Sequence, residues 1–164
     1  MSDGRLSPEQ EACRKAAEKA MNLLLHQDRT KKELQDRLYR AGFSEQATQY
    51  AMDYVTGFGY IDDLRYATNY IQYHKGNRSR KELRFKLLNK GIDASVLAVA
   101  LEEYEEEDER EAISHLLGKR LKGRKLSEMA YPERSKLTAY LVRKGFPLPA
   151  VRRVAEEWEN NESN

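Results

Sequence analysis

The chain has 164 residues, a charged fraction of 34%, a formal net charge of +2 and one cysteine. The lone Cys13 excludes an internal disulfide and a four-cysteine zinc site, which indicates a reducing compartment. No apolar run approaches the ~20 residues that span a bilayer, so we expect a cytoplasmic protein with no membrane partner. The low content of glycine (9) and proline (4) favours a helix-rich fold with a modest core.

The near-neutral net charge hides a segregation along the chain. Residues 75–90 and 119–125 are basic, whereas residues 102–111 contain eight acids and one arginine. The basic segments indicate a polyanionic or nucleoprotein partner, because phosphate contacts need charge and reach more than fixed geometry. The acidic run either imitates phosphate toward a DNA-binding partner or forms a solvated helix surface, and the second interpretation is favoured.

The first predicted helix begins after Ser7, which with Gln10 forms a capping box, and it runs to about Gln27. Helical spacing of apolar residues predicts one inner face. The residues on that face are Ala17, Ala20, Met21, Leu24 and Leu25.

A set of helix signals then occurs three times. Thr30 and Glu33 predict a capped helix start, Leu34 and Leu38 its buried face, and Gly42 its end. The same signals return 49 residues later at Ser79, Glu82, Leu83, Leu87, Gly91 and Ile92. A further offset of 54 residues gives Leu137, Leu141, Gly145, Phe146 and Trp158, with Glu133 and Lys136 at the two capping positions. The repeat predicts an all-α fold of three tandem three-helix repeats, each resembling a helix-turn-helix, in an elongated or curved array.

The signals also predict domain boundaries. Repeat 1 covers residues 7–57, a joint covers 58–61, repeat 2 covers 62–108, and repeat 3 covers 109–160 with a basic insertion at 118–131. The span 93–117 is either one long helix or two.

Within repeat 1, the third helix should start at Ser44 and bury Ala47, Ala51, Tyr54 and Val55. Asp62 or Asp63 should cap the fourth helix.

Tyr66, Tyr70 and Tyr73 follow one another at one-turn spacing on that fourth helix. Aromatic side chains beside arginines can stack unpaired bases, but a core face formed by Ala67, Tyr70, Ile71 and His74 is the favoured interpretation.

No pattern of catalytic residues is present. The histidines are dispersed, and the chain contains no P-loop, dinucleotide-binding, nucleophile-elbow or zinc-protease motif. The adjacent Asp62 and Asp63 are explained by capping at a helix start. We therefore expect no enzyme activity, no metal and no cofactor.

Three linked motifs resemble the signature of the RecX regulatory proteins of bacteria. They are Gly59-Tyr60-Ile61-Asp62-Asp63-Leu64-Arg65-Tyr66-Ala67, then Glu82-Leu83 with Leu87, then Lys90-Gly91-Ile92. The resemblance extends over nearly the whole chain and includes the threefold repeat. It implies a modulator, usually an inhibitor, of the RecA recombinase that lies in the groove of the RecA–single-stranded DNA filament and lowers ATP hydrolysis and strand exchange.

Within that resemblance, the expected partners are the RecA filament and single-stranded DNA, with duplex DNA as a further candidate, and the protein is expected to be a monomer. The basic residues expected to contact DNA or the recombinase are Lys75, Arg78, Arg80, Lys81, Arg84, Lys90, Lys119, Arg120, Lys122, Arg124 and Lys125. The residues expected to form the structural motif are Gly42, Gly59, Tyr60, Asp62, Asp63, Gly91 and Gly145.

Two other functions are compatible with the sequence. A helix-turn-helix transcription regulator would need base-reading side chains on one recognition helix and a dimer, yet the exposed residues of the repeated second helices differ and no dimerisation stripe is evident. A purely protein-binding adaptor would have no salt-dependent affinity for DNA.

Overall fold

A computed structural model describes residues 4–164, which form nine α-helices and two short 3-10 helices without a strand. The all-α fold predicted from the sequence is confirmed. In chain order the α-helices are α1 Pro8–His26, α2 Lys31–Arg40, α3 Glu45–Gly57, α4 Asp63–His74, α5 Arg80–Asn89, α6 Ala94–Ala100, α7 Glu106–Leu121, α8 Tyr131–Arg143 and α9 Leu148–Glu162. The 3-10 helices are Leu101–Glu103 and Leu126–Glu128.

The repeated signals produce repeated helices. Helices α2 and α5 start and end 49 residues apart, and α5 and α8 end 54 residues apart. Helix α8 starts one turn earlier than the offset predicts, with Pro132 in its first turn, where a missing N–H costs no hydrogen bond.

The chain divides into two compact units by its contacts, and each is described separately. The first unit comprises the residues up to Ala67 together with Leu88–Leu97. Helix α1 packs along α3 in this unit, and the alanines Ala16, Ala20, Ala47 and Ala51 are almost completely buried between them. Small side chains allow the two helix backbones to approach closely, and Leu34, Leu38 and Val55 complete the core.

Two predictions about buried faces in the first unit are wrong. Leu25 is 79% exposed, while Leu23 is buried, because the inner face of α1 follows Ala16, Ala20 and Leu23. Tyr54 lies at the edge of the buried face of α3 and is 39% exposed.

The second unit comprises Thr68–Leu87 and Ala98–Asn164. Helix α7 packs along α9 in this unit. The core of the unit contains Ile113, Leu117, Leu141 and Phe146 among other apolar side chains. The span 93–117 is divided between two helices, because Tyr104 is extended and α7 begins after it. The N–H of Glu105 donates to the carboxylate of Asp108 at 2.9 Å, which caps the new helix start.

Within residues 4–164, none of the helices combines the length and the apolar composition that a membrane span requires.

Candidate polyanion-binding groove

The candidate site lies where the start of α5 meets the end of α8. The hydroxyl of Ser79 accepts the N–H of Glu82 at 3.0 Å and donates to the carbonyl of Lys144 at 2.6 Å. Gly145 follows with φ of +100°, and a Cβ built there would lie 2.5 Å from the Ser79 hydroxyl and 3.2 Å from Cβ of Lys81. The capped end of one helix is therefore held tightly against the C-terminal turn of the other.

This junction leaves an open groove of about 560 Å³ beside it. Its lining residues are Lys81, Glu82, Phe85, Tyr140, Val142, Arg143, Lys144 and Gly145. Cationic side chains outnumber acidic ones in this lining, so the groove favours an anionic ligand.

Apolar side chains in the groove are exposed to solvent. Phe85 is 65% exposed and Val142 is 41% exposed, whereas Tyr140 is partly buried. The Arg120 guanidinium lies 3.7 Å from the centre of the Tyr140 ring, and the Lys144 ammonium lies 5.8 Å from it. These distances place both cations in cation–π contact with one aromatic ring, and they bring the predicted basic segment 119–125 to the groove through Arg120.

Lys81 and Arg84 are the most available cations on α5. Both are exposed, and within residues 4–164 neither has an ion-pair partner. Residues three and four positions apart share a helix face, so Lys81, Arg84 and Phe85 present two charges and an aromatic ring on one side.

Other predicted contact residues on or near α5 are engaged with the protein itself. The Arg80 guanidinium donates to the carbonyls of Leu101 at 2.7 Å and Tyr104 at 3.1 Å. A guanidinium nitrogen of Arg78 lies 3.5 Å from the Glu82 carboxylate. The backbone carbonyl of Arg78 accepts the Tyr104 hydroxyl at 2.9 Å. Arg78 and Arg80 therefore hold the start of α5 to the chain around Tyr104.

Two predicted lysines form ion pairs elsewhere. The ammonium of Lys75 lies 3.2 Å from the Asp108 carboxylate in the second unit. In the first unit, the ammonium of Lys90 lies 3.8 Å from the carboxylate of Glu33 and 5.8 Å from the Tyr66 ring centre. The Lys75 contact neutralises one member of the acidic run.

The cluster 119–125 surrounds the C-terminus of α7. Cations are favourable there because the helix dipole is negative at that end. Lys122 has φ of +51° and ends the helix in the left-handed conformation. Arg124 lies 2.8 Å from the Glu133 carboxylate, whereas Lys119, Lys122 and Lys125 are exposed.

The following turn is held by Glu162. Its carboxylate accepts the N–H groups of Leu126 at 2.6 Å and Ser127 at 3.1 Å.

The residues of the predicted structural motif occupy helix boundaries. Asp62 caps α4 by accepting the N–H of Arg65 at 3.1 Å. Asp63 instead accepts the N–H of Lys31 at 2.9 Å, which joins the starts of α2 and α4. Burial raises the pKa of the Asp63 carboxyl, and the hydrogen bond from Lys31 opposes that rise.

The remaining motif residues lie at helix ends as well. Tyr60 is exposed in the joint after Gly59, which has φ of +71°. Gly42 and Gly91 follow α2 and α5 with φ of +92° and +88°, a conformation that favours glycine.

Burial also affects the groups packed near α5. It raises the pKa of the Tyr104 phenol, and the carboxylates of Glu109 and Asp108 raise it further. Burial raises the pKa of Glu109, and neighbouring Glu106 adds to the effect. Tyr104 and Glu109 both interact with the charge of Arg80 on α5, and neither residue lines the groove.

Within residues 4–164, no group of three or more His, Cys, Asp or Glu side chains is arranged to hold a metal ion.

Sequence reasoning missed five residues of the groove, namely Phe85, Tyr140, Val142, Arg143 and Lys144. One signal was available, because Phe85 is apolar yet lies out of register with Leu83 and Leu87 on α5. The other four lie more than fifty residues away in sequence, and only the tertiary junction brings them to α5.

Known proteins match this sequence and fold. A family model described as the first three-helix domain of RecX matches residues 16–54. The RecX regulatory protein of Amycolatopsis mediterranei is 30% identical over 152 residues, which cover 92% of this chain and 86% of the relative. That of Mycobacterium ulcerans is 30% identical over 128 residues, covering 77% and 74%. That of Clostridium botulinum is 28% identical over 151 residues, covering 92% and 70%.

Solved structures have the same fold. The crystal structure of RecX from Lactobacillus salivarius matches with a TM-score of 0.81 at 24% identity, over 91% of this chain and 97% of that one. A second crystal structure of a regulatory protein RecX matches with a TM-score of 0.79 at 22% identity, over 95% and 82%. Sequence relatives that align over most of both chains, together with this shared fold, establish that the chain belongs to the RecX family of regulatory proteins.

Proposed function

We propose that this chain is a non-enzymatic, cytoplasmic regulator that binds the RecA–single-stranded DNA filament and lowers ATP hydrolysis and strand exchange by the recombinase. Membership of a family of regulatory proteins supports the regulatory role. The basic groove of the second unit supports an anionic, nucleoprotein partner.

One observation carries the proposal. Lys81 and Arg84 lack ion-pair partners within residues 4–164 and share a helix face with the exposed ring of Phe85. Single-stranded nucleic acid binds where cations meet the phosphates and aromatic rings stack on the bases. The groove combines both kinds of side chain, and Tyr140 with its two cations adds a second aromatic ring.

We further propose that the three predicted repeats, with boundaries at residues 7–57, 62–108 and 109–160, act together as a monomer. In this proposal the exposed members of the cluster 119–125 add phosphate contacts beside the groove. Arg78 and Arg80 contribute mainly by fixing α5, because their guanidinium groups already contact the protein.

The test is charge reversal on α5. We expect the K81E/R84E variant to lose most inhibition of RecA ATP hydrolysis on single-stranded DNA. The matched control is K15E/K19E, which makes the same change in net charge at two exposed lysines of α1. Unchanged inhibition by K81E/R84E, or equal loss in both variants, would remove the groove from the proposed site.

A binding assay separates this function from the alternatives. Affinity is measured for bare single-stranded DNA, random duplex DNA and RecA-coated DNA over a range of salt concentrations. We expect the strongest binding to RecA-coated DNA and a salt dependence that weakens in K81E/R84E, with a change in slope of about 0.7 for each lost contact to a single strand. Tight preference for one duplex sequence would favour a transcription regulator, and affinity independent of salt would favour a protein adaptor.

A further inference from the structure

A second exposed surface lies on α3 in the first unit and plays no part in the groove. Tyr50, Tyr54 and Phe58 follow one another at intervals of four residues, so they form one stripe along the helix. Phe58 is 64% exposed, and Tyr50 and Tyr60 are about half exposed. Large aromatic side chains grouped on a surface mark an interaction site more often than scattered ones do.

Three rings of this stripe, those of Tyr54, Phe58 and Tyr60, lie in contact one after another, and Tyr50 lies one helical turn before Tyr54. The ring centres of Tyr54 and Phe58 are 4.9 Å apart, and those of Phe58 and Tyr60 are 5.8 Å apart with planes inclined by 23°. These separations are those of interacting aromatic pairs. We call the side chains of Tyr50, Tyr54, Phe58 and Tyr60 the aromatic stripe.

The backbone beneath the aromatic stripe is well fixed. The N–H of Tyr60 donates to the carbonyl of Val55 at 2.8 Å. The Arg65 guanidinium donates to the carbonyl of Gly59 at 3.1 Å. A surface held in this way loses little conformational entropy when it binds a partner.

The charges on α3 differ from those of the groove. Helix α3 contains no lysine, arginine or histidine, and its charged residues are Glu45 and Asp53. Asp53 lies next to Tyr54 in sequence, and its carboxylate accepts a hydrogen bond from the Gln49 amide at 2.9 Å. The guanidinium of Arg65 donates to the carbonyl of Gly59 at 3.1 Å and keeps its positive charge, so this cation lies at the joint and not on α3.

We propose that the aromatic stripe docks on the protein subunits of the recombinase filament, on a surface that combines apolar and cationic side chains. This inference rests on the proposed function. The free energy falls when exposed rings leave water on binding. Both the ring faces and the Asp53 carboxylate attract a lysine or arginine of the partner. Filament binding is thereby divided between two surfaces, with nucleic acid at the groove and protein at the aromatic stripe.

Charge disfavours nucleic acid as the occupant of the stripe. Bases that stacked on these rings would bring their phosphates near Asp53, and α3 has no cation to neutralise them.

The test compares two ligands in one assay. A labelled single-stranded oligonucleotide is used bare or coated with RecA and a non-hydrolysable ATP analogue, and affinity is measured by fluorescence anisotropy. The variants are Y54A/F58A and D53K. The control is Y131A, which removes an aromatic side chain that is 82% exposed on α8.

For Y54A/F58A we expect affinity for coated DNA to fall about tenfold or more, while affinity for bare DNA stays within about twofold of the unaltered protein. D53K should also weaken binding to coated DNA, because it places a lysine opposite the cationic side chains proposed on the recombinase surface. Y131A should leave both affinities unchanged. Helix content and the thermal unfolding midpoint are checked for each variant, and the single F58A variant replaces the double one if the latter does not fold.

Four results would overturn the inference. Unchanged binding of Y54A/F58A to coated DNA would remove the stripe from the interface, and a parallel loss for bare DNA would make it a platform for bases. Stronger binding of D53K to coated DNA would contradict the proposed charge of the partner. Failure of the unaltered protein to bind coated DNA would overturn the proposed function as well, and that outcome is distinguishable because it precedes any substitution.

Discussion

Ser79 donates its hydroxyl hydrogen to the carbonyl of Lys144 at 2.6 Å, and it caps α5 with the same oxygen. Thr30 makes the corresponding pair of contacts in the first unit, with the carbonyl of Lys90 at 2.6 Å and the N–H of Glu33 at 3.2 Å. Both hydroxyl side chains are completely buried. The capping residue that recurs in the repeats therefore also forms a recurring hydrogen bond between the start of one helix and the end of a later helix.

The double role of Ser79 predicts that its loss costs more than the loss of an ordinary helix cap. S79A removes the cap of α5 and leaves the carbonyl of Lys144 without this donor. We expect the free energy of unfolding to fall by about 2–3 kcal/mol, compared with about 1 kcal/mol for a cap alone. The control is S44A, because Ser44 is an exposed cap of α3 that accepts the N–H of Ala47 at 3.1 Å. Urea unfolding measures both, and equal losses would show that the contact with Lys144 adds nothing.

Gly145 and Gly42 separate the effect of backbone conformation from that of packing. Both have positive φ, but a Cβ at Gly42 would meet nothing within 4 Å, whereas one at Gly145 would lie 2.5 Å from the Ser79 hydroxyl. We expect G42A to cost about 1–2 kcal/mol through conformational strain. G145A should cost clearly more in the same urea unfolding measurement, because Ser79 and Lys81 must also move.

A double-substitution cycle tests the cause of that difference. If the Ser79 hydroxyl is what the new methyl group meets, the cost of S79A/G145A should be smaller than the sum of the two single costs. A strictly additive result would assign the extra cost of G145A to another part of the structure.

The range over which a signal acts decides which features of this fold could be predicted from the sequence. Caps and glycines act locally, so the positions of Thr30, Ser79 and Gly91 predicted helix boundaries that the structure reproduces. The buried face of α1 was harder, since Leu23, Leu24 and Leu25 are consecutive and only packing against α3 selects Leu23. No local pattern distinguishes Asp62, which caps α4, from Asp63, which accepts the N–H of Lys31 at the start of α2.

The candidate groove was predictable only in part, for a physical reason. Charge clustering identified Lys81 and Arg120, because it is visible within a few neighbouring residues. The contacts of Arg80 with carbonyl groups and of Tyr140 with Arg120 depend on the tertiary arrangement. A single sequence cannot distinguish a cation that braces the fold from one that is available to a ligand.

Asp63 predicts a dependence of stability on pH. Burial raises the pKa of its carboxyl in the folded protein, so the folded state holds the proton to a higher pH than the unfolded chain does. Its ionisation therefore destabilises the fold as the pH rises from about 4, the ordinary value for an aspartate, through the raised folded value. D63N removes the charge and keeps an oxygen that can accept the N–H of Lys31.

We expect the free energy of unfolding of D63N, relative to the unaltered protein, to increase across this pH range and then level off. Urea unfolding between about pH 3.5 and 7 measures the difference. Asp62 provides the control, because D62N alters the neighbouring cap without the contact to Lys31. A difference for D63N that is flat with pH, or that decreases as pH rises, would contradict the raised pKa.

Arg80 and Lys81 are adjacent in sequence, and their contacts predict opposite effects on stability and binding. The Arg80 guanidinium holds the carbonyls of Leu101 and Tyr104, so R80A should lower the free energy of unfolding by about 1.5–3 kcal/mol, the range for hydrogen bonds to charged groups. K81A removes an exposed side chain without an ion-pair partner in residues 4–164 and should change stability by less than about 0.5 kcal/mol. Urea unfolding of the two single variants gives the stability comparison directly.

The affinity for RecA-coated DNA should show the opposite ranking. Among variants that remain folded, K81A should bind more weakly than R80A, because K81A has lost a charge that is available to the ligand. If K81A were the destabilised variant, or if R80A were as stable as the unaltered protein, the assignment of Arg80 to the fold and of Lys81 to the ligand would be wrong.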